Sequence, residues 1–229
     1  GTELDTPQGC KFVGPPGSGK TALFRYFQET IPASSLFSHG SGAIGIRLPK
    51  RPTPGLLTRE FLRLLKYPFA GGSQNQLYVR RHVVFEALRS HGTRLVWLDE
   101  AHHLLTKHAS KQIAGDETEA IEFLRELMDV CKVSLVLAGS KELDSLNIVA
   151  PHLTTRIAAR EELNTFALDG TWLGFLKAFA SQSTHFDISL IADRSVGTLM
   201  HMATDGNLRA FKQLIVEAGR IQIRSATPA

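Results

Sequence analysis

Short apolar runs alternate with longer stretches of helical periodicity along residues 11–168, and helical periodicity alone fills the rest of the chain. Lys11-Phe12-Val13 predicts a first strand, followed by a helix with Leu23, Phe24 and Phe27 at helical spacing. Residues 43–48 predict a second strand. Residues 53–66 predict a helix with Leu57, Phe61, Leu64 and Leu65 on one face and Pro54 near its start. A long helix carrying Val79, Val83, Val84 and Leu88 is predicted to end at Gly92. Leu95-Val96-Trp97-Leu98 reads as a buried strand ending in Asp99-Glu100. After a polar loop over 108–115, Asp116 followed by Glu119 has the spacing of a capping box. The helix it opens turns Ile121, Leu124, Leu127 and Met128 inward.

Residues 133–138, apolar but for Ser134, predict a fourth strand of the kind expected in a parallel sheet covered on both faces. A short helix is expected from Lys141, and a fifth strand around 163–168. Three helical patterns complete the chain, over 172–182, 188–204 and 207–223, the last with Leu208, Phe211, Ile215 and Ala218 on one stripe. Strands alternating with helices, then helices alone, predict an α/β core over residues 1–169 and a small helical lid over 170–229.

Composition narrows the class. The 229 residues are 43% hydrophobic and 21% charged, which argues against disorder. No apolar run approaches the roughly 20 residues of a membrane-spanning helix, so no membrane partner is expected. Two cysteines, Cys10 and Cys131, make no disulfide framework and fit a reducing, cytoplasmic setting. A formal charge of +4 permits nucleic acid as a partner without demanding it. The opening Gly1-Thr2-Glu3 has neither initiator Met nor signal peptide, as expected of a trimmed chain. Repeats and low-complexity tracts are absent from the sequence.

The chemistry concentrates at two strand ends. Gly14-Pro15-Pro16-Gly17-Ser18-Gly19-Lys20-Thr21 satisfies the phosphate-loop pattern between a predicted strand and a predicted helix. Glycines let backbone N–H groups turn toward phosphate oxygens, and the helix N-terminus adds a favourable dipole. In that pattern Lys20 reaches the β/γ-phosphates of ATP and the Thr21 hydroxyl ligates Mg²⁺. Asp99, closing a buried strand, is placed as the carboxylate that holds the metal through water, opposite Thr21, and Glu100 as the one that orients the attacking water. A chance glycine-rich turn and an acidic strand end are the competing readings; their co-occurrence disfavours both. An additional strand between the two motifs, together with Glu100, points to hydrolysis rather than kinase chemistry.

This combination of phosphate loop, strand-end acids, a polar residue closing the fourth strand, an arginine before the fifth and a helical lid resembles an AAA+ ATPase. Within that group, 98–104 (LDEAHHL) and 135–143 (LVLAGSKEL) resemble the TniB/TnsC transposition regulators. The resemblance implies a P-loop AAA+ core with a five-stranded parallel sheet flanked by helices, plus a small C-terminal lid. It implies Ser140 at the sensor-1 position, where a helix N-cap is the competing reading. It implies Arg156 as an arginine finger supplied to a neighbouring subunit, with Arg160 as runner-up, and Arg209 of Gly206-Asn207-Leu208-Arg209 as sensor 2. With nine residues before Cys10, an upstream segment that often completes the adenine pocket is expected to be short or missing. Assembly implied in this way is head-to-tail, as a ring or filament on duplex DNA, with a transposase and a target-selection protein as partners and disassembly on ATP hydrolysis. The alternatives are a helicase loader or replication initiator, a nucleotide-gated scaffold with little turnover, and a protein-directed ATP switch without DNA binding.

Lys50-Arg51 is the foremost candidate for DNA contact, followed by Arg80, Arg81, Lys107 and Lys111, each also readable as a solvated charge. No base-reading motif accompanies them, so contacts to the DNA backbone are expected. His102 and His103 are adjacent, which on a helix directs them to different faces, and neither cysteine nor carboxylate has zinc-ligand spacing to them in sequence. They are therefore expected to be structural. Cys10 and Cys131 are not expected to be nucleophiles, and Ser18 and Ser140 lack a paired base for a hydrolase triad.

Overall fold

The computed structural model describes residues 8–30, 42–67, 77–105 and 118–226. Its sheet has five parallel strands: β1 (Cys10–Val13), β2 (Ala43–Arg47), β3 (Leu95–Asp99), β4 (Ser134–Gly139) and β5 (Ala159–Glu162). They lie in the order β2-β3-β4-β1-β5. All four pairings being parallel, every connection crosses over, and the described crossovers carry helices as parallel sheets require. These helices are α1 (Lys20–Thr30), α2 (Pro54–Leu64), α3 (Leu77–Ser90), α4 (Glu119–Cys131) and two four-residue helices, α5 (Leu146–Val149) and α6 (Pro151–Thr154).

Alternation along the neighbouring strands β3 and β4 divides the core. Val96 and Leu98 of β3 and Leu135 and Leu137 of β4 face the large cluster with Leu57, Phe61, Leu88, Phe123 and Leu124. Trp97, Val136 and Ala138 face the opposite side, where Phe12, Leu23, Phe24 and Phe27 cover them. Trp97 stacks on Phe12 at 5.4 Å between centroids and meets Phe24 at 5.3 Å. Gly45 of β2 makes that packing feasible, because a Cβ there would collide with the Phe24 ring. Each large apolar side chain buried in this way contributes about 1.5–3 kcal/mol.

Expectations at the fifth strand and at the start of α4 need correction. The fifth strand is Ala159–Glu162, not 163–168. It lies at the sheet edge beside β1 with all four residues exposed, so it has no hydrophobic signature to read. The apolar residues beyond it belong elsewhere: Phe166 packs against Trp172 and Phe175. At α4, the residue capping the helix is Thr118, whose Oγ1 accepts from the Ile121 N–H at 3.3 Å. Asp116 lies outside the described residues, as do Lys107 and Lys111.

Contacts divide the chain into two compact units, one of residues 1–14 and 20–162, the other of residues 15–19 and 163–229. In the second unit, α7 (Gly170–Ser181), α8 (Arg194–Thr204) and α9 (Leu208–Ala226) surround Trp172, Leu176, Met200 and Phe211. The Trp172 indole N–H, buried there, donates to the Gly197 carbonyl at 2.8 Å. Asp169 and Asp193 cap α7 and α8 by accepting backbone N–H groups; those bonds hold the Asp169 carboxyl below its ordinary range, and the Ser195 hydroxyl, followed by the backbone N–H groups, does the same for Asp193. Asp193 also interrupts the helical pattern expected over 188–204, leaving a 3₁₀ turn at Ser189–Ala192 before α8. Among the described residues, no helix is long and apolar enough to cross a membrane.

Candidate functional site

Parallel register brings the polar strand ends of the first unit together. Gly14 follows β1, and its N–H donates to the Gly139 carbonyl at the end of β4. Lys20 opens α1, and its Nζ donates to the Gly14 carbonyl at 2.7 Å. One residue on, the Thr21 hydroxyl donates to Asp99 Oδ2 at 2.9 Å. A hydroxyl and a carboxylate at this separation form a pair of hard oxygen donors, the type that Mg²⁺ selects, so the residues fit that cation. Asp99 Oδ1 accepts the Glu100 N–H at 3.0 Å, anchoring the carboxylate to the turn that follows β3.

That turn is unusual for its residue. Glu100 has φ 56°, in the left-handed region that disfavours side chains other than glycine, asparagine and aspartate. The reversal leads into a 3₁₀ turn at Ala101–Leu105. Glu100 Oε1 accepts from Arg47 at 3.2 Å, and Oε2 lies 3.6 Å from His102 Nε2. Arg47 ends β2 in direct register with Asp99, which explains its reach. Its side chain is 77% exposed, so the pair is weakly held. Sequence spacing gave no indication of Arg47; the strand order is the missing information. The expectation that His102 and His103 diverge also fails. Their rings lie 4.5 Å apart, with the Glu100 carboxylate beside them.

Ser140 follows β4 with its Oγ buried and without a hydrogen-bond partner among the described residues. It occupies the N-cap position of the 3₁₀ turn Lys141–Ser145 but makes no side-chain cap. Arg156 is engaged within the chain: Nε and an Nη donate to the two Asp129 carboxylate oxygens at 3.1 and 3.2 Å. Arg160 makes the same kind of fork with Asp144, and also reaches Glu162. Arg160 thereby pulls the Asp144 carboxyl below its ordinary range. It lies within β5 rather than before it.

Among the basic candidates, Lys50 and Arg51 are exposed just beyond β2. Arg81 is committed to the fold, pairing with Glu126 and lying 5.4 Å from the Phe123 ring centroid. The cysteines have raised thiol pKa values: burial pushes Cys131 up to about 12, and burial followed by Glu161 raises Cys10.

In the second unit, Pro15–Gly19 packs with the start of α9. Gly17 and Gly19 have φ 86° and 100°, conformations that side chains rarely adopt. A Cβ on Gly17 would also strike the Asn207 side chain. Asn207 works in two directions. Its Oδ1 accepts the N–H groups of Arg209 and Ala210 at 3.0 and 3.2 Å, capping α9, while Nδ2 donates to the Pro16 carbonyl at 2.9 Å. Sequence reasoning passed over Asn207, although an asparagine directly before a helical pattern is itself a cap signal. A cavity of about 510 Å³ here is lined by Pro15, Pro16, Thr165, Asn207 and exposed Arg209.

The profile of a protein family described as an AAA domain matches residues 4–146. Comparison with curated proteins finds no match. Among solved structures, the chain is similar to the ORC2 protein of Aeropyrum pernix in its ADP form, with TM-score 0.66 and 16% identity over 96% of this chain and 59% of that one. For the ADPNP–ADP complexes of the same ORC2 protein the TM-score is 0.64 at 16% identity, over 96% of this chain and 58% of that one. The Aeropyrum pernix ORC1 protein in complex with DNA gives TM-score 0.50 and 16% identity, over 93% of this chain and 60% of that one. The chain spans about three fifths of the length of these structures, and the likeness is one of fold.

Proposed function

Because the chain belongs to the AAA domain family, we propose that it is an ATP-hydrolysing switch that assembles head-to-tail on duplex DNA, there recruits or activates a transposase, and disassembles on hydrolysis. The observation that carries the reading is the 2.9 Å contact of Thr21, in the helix that follows β1, with Asp99 at the end of β3, with Glu100 next in the chain. Thr21 and Asp99 would hold Mg²⁺, which when bound supplies charge neutralisation on phosphate oxygens. Lys20 binds phosphate in place of the Gly14 carbonyl. Glu100 orients the attacking water, and the Ser140 hydroxyl, buried and without a partner among the described residues, is the group that would read that water or the γ-phosphate. Backbone groups of residues 14–19 cradle the phosphates, and Arg209 adds a cation. In this reading residues 1–169 act as the nucleotide-binding core and 170–229 as its lid.

Transposition enters through the resemblance of 98–104 and 135–143 to TniB/TnsC, with exposed Lys50 and Arg51 offering contacts to the DNA backbone. A second reading, a replication initiator or helicase loader, is favoured by the likeness to the Aeropyrum ORC structures, one of them in complex with DNA. Electron microscopy with duplex DNA tests both against a DNA-independent switch, comparing Mg²⁺-ATP, a slowly hydrolysed analogue and ADP. Nucleotide-dependent rings or filaments on DNA are expected; particles indifferent to DNA would refute assembly on DNA. Copurification with a transposase rather than a helicase separates the two DNA-directed readings.

Substitutions at Arg156 with its partner Asp129, and at Asn207, probe parts of this reading. Arg156 can serve a neighbouring subunit only after leaving Asp129. Arg156→Ala should therefore return assembly-dependent hydrolysis to the rate of dilute monomer, whereas Asp129→Ala should not, because it frees the guanidinium. Equal losses in both would mark the pair as structural. For Asn207, replacement by Ser keeps a capping oxygen but removes the donor to Pro16, so stability should hold while nucleotide affinity falls about 2–10-fold. Asn207→Ala should in addition lose about 1 kcal/mol of stability in denaturant unfolding. Unchanged affinity in both would show that the loop needs no such tether.

A further inference from the structure

Beside the oxygen pair of Thr21 and Asp99 lies a second donor set of different chemistry. Glu100, His102 and His103 each offer a ligand atom, and these atoms all lie within 4.8 Å of one another. One ring nitrogen of His103 is already engaged by the backbone. Its Nδ1 lies 3.0 Å from the Leu48 carbonyl oxygen, which can only accept, so Nδ1 is the donor and, in the neutral ring that ligates a metal, Nε2 is the nitrogen with the lone pair. An imidazole whose second nitrogen donates to a backbone carbonyl is the usual form of a protein metal ligand.

His102 presents Nε2 at 3.6 Å from Glu100 Oε2. Its Nδ1 lies 3.5 Å from the Ser140 nitrogen, at the outer limit of a hydrogen bond; freeing Nε2 moves the proton to Nδ1, gives up that weak bond and requires the ring to turn away from the Ser140 N–H. Glu100 is tied on its other oxygen to Arg47, an exposed partner whose attraction is worth about 0–1 kcal/mol. That carboxylate can therefore turn toward the imidazoles.

Two imidazoles and one carboxylate make a Zn²⁺-type donor set that leaves a further position for water, whereas Mg²⁺ prefers oxygen alone. We propose that Glu100, His102 and His103 form a binding site for a borderline divalent cation of the Zn²⁺ class, and that occupancy inhibits ATP hydrolysis by withdrawing Glu100 from the attacking water. The site is distinct in donor chemistry from the Thr21–Asp99 pair. Its inhibitory half rests on the hydrolytic role proposed for Glu100; its binding half does not.

Calorimetric titration of the nucleotide-free protein with Zn²⁺ tests binding directly. One site per chain is expected, undisplaced by excess Mg²⁺. His102→Asn and His103→Asn each keep a polar group at the Nδ1 position while deleting the Nε2 ligand. Each should weaken binding by more than the ~10–100-fold that loss of an outer partner costs. Circular dichroism checks that they fold. Should either fail to fold, Co²⁺ bound to the wild-type protein decides: an intense, tetrahedral-type visible absorption supports the imidazole site, and a weak, all-oxygen spectrum overturns it. An isotherm unchanged in the double variant also overturns the site.

Hydrolysis at saturating Mg²⁺ tests the consequence. Zn²⁺ should inhibit the wild type, and each variant should resist relative to its own zinc-free rate. Zinc-insensitive hydrolysis in a protein that binds Zn²⁺ at these residues refutes the inhibitory half. Absence of any hydrolysis counts against the proposed function, while the binding isotherm still decides the site.

Discussion

Glu100→Gln lowers steady-state ATP hydrolysis by about 10²–10⁴-fold, the contribution of a positioned general base, while ATP binding persists. The replacement keeps side-chain length and leaves Arg47 an oxygen to bond, removing only the charge and basicity. Asp99 and Thr21 are untouched, so the donors suited to Mg²⁺ remain. The left-handed backbone at position 100 is no harder for Gln than for Glu, and the melting temperature should stay close to that of the wild type. Single-turnover hydrolysis and calorimetric ATP binding measured on one preparation separate the outcomes. A variant that binds ATP, accumulates nucleotide-bound assemblies and does not turn over fits a water-orienting carboxylate. Near-wild-type turnover would remove Glu100 from the chemistry and leave its contacts with Arg47 and His102 as structural features.

The parts legible in the sequence are those whose physics is local. Gly17 and Gly19 announce a loop with positive φ, Lys20-Thr21 a helix start, and the apolar runs at 95–98 and 133–138 strands buried on both faces. The parts that were not legible depend on neighbours distant in the chain. Ala159–Glu162 is a strand only because β1 offers it an edge, and nothing in four exposed residues records that. Arg47 meets Glu100 because β2 lies beside β3, a fact of strand order rather than of spacing. His102 and His103 converge because the chain reverses at Glu100, a left-handed residue that no propensity scale would place there. Arg156 and Arg160 look alike as isolated arginines, and their carboxylate partners come from α4 and from the turn after β4.

Lys20→Ala is expected to weaken ATP binding by about 10–150-fold, equivalent to the ~1.5–3 kcal/mol of a hydrogen bond to a charged group. In the nucleotide-free chain the ammonium already has a neutral partner, the Gly14 carbonyl at 2.7 Å. Phosphate must therefore compete with that bond, and it does so because a charged acceptor is stronger than a neutral one. The loss should be larger for ATP than for ADP, since the lysine addresses the β/γ-phosphates. Structural cost should be small: the side chain is only half-buried at the start of α1, where alanine is a favourable helix residue. Calorimetry with ATP and with ADP, paired with thermal unfolding, distinguishes a lost ligand contact from a lost fold. If ATP affinity survives with an unchanged melting temperature, Lys20 serves the loop through Gly14 and the phosphate site lies elsewhere. If the ATP preference collapses while ADP binding persists, the lysine is the group that reads the terminal phosphate, and the switch between nucleotide states begins at that one charge.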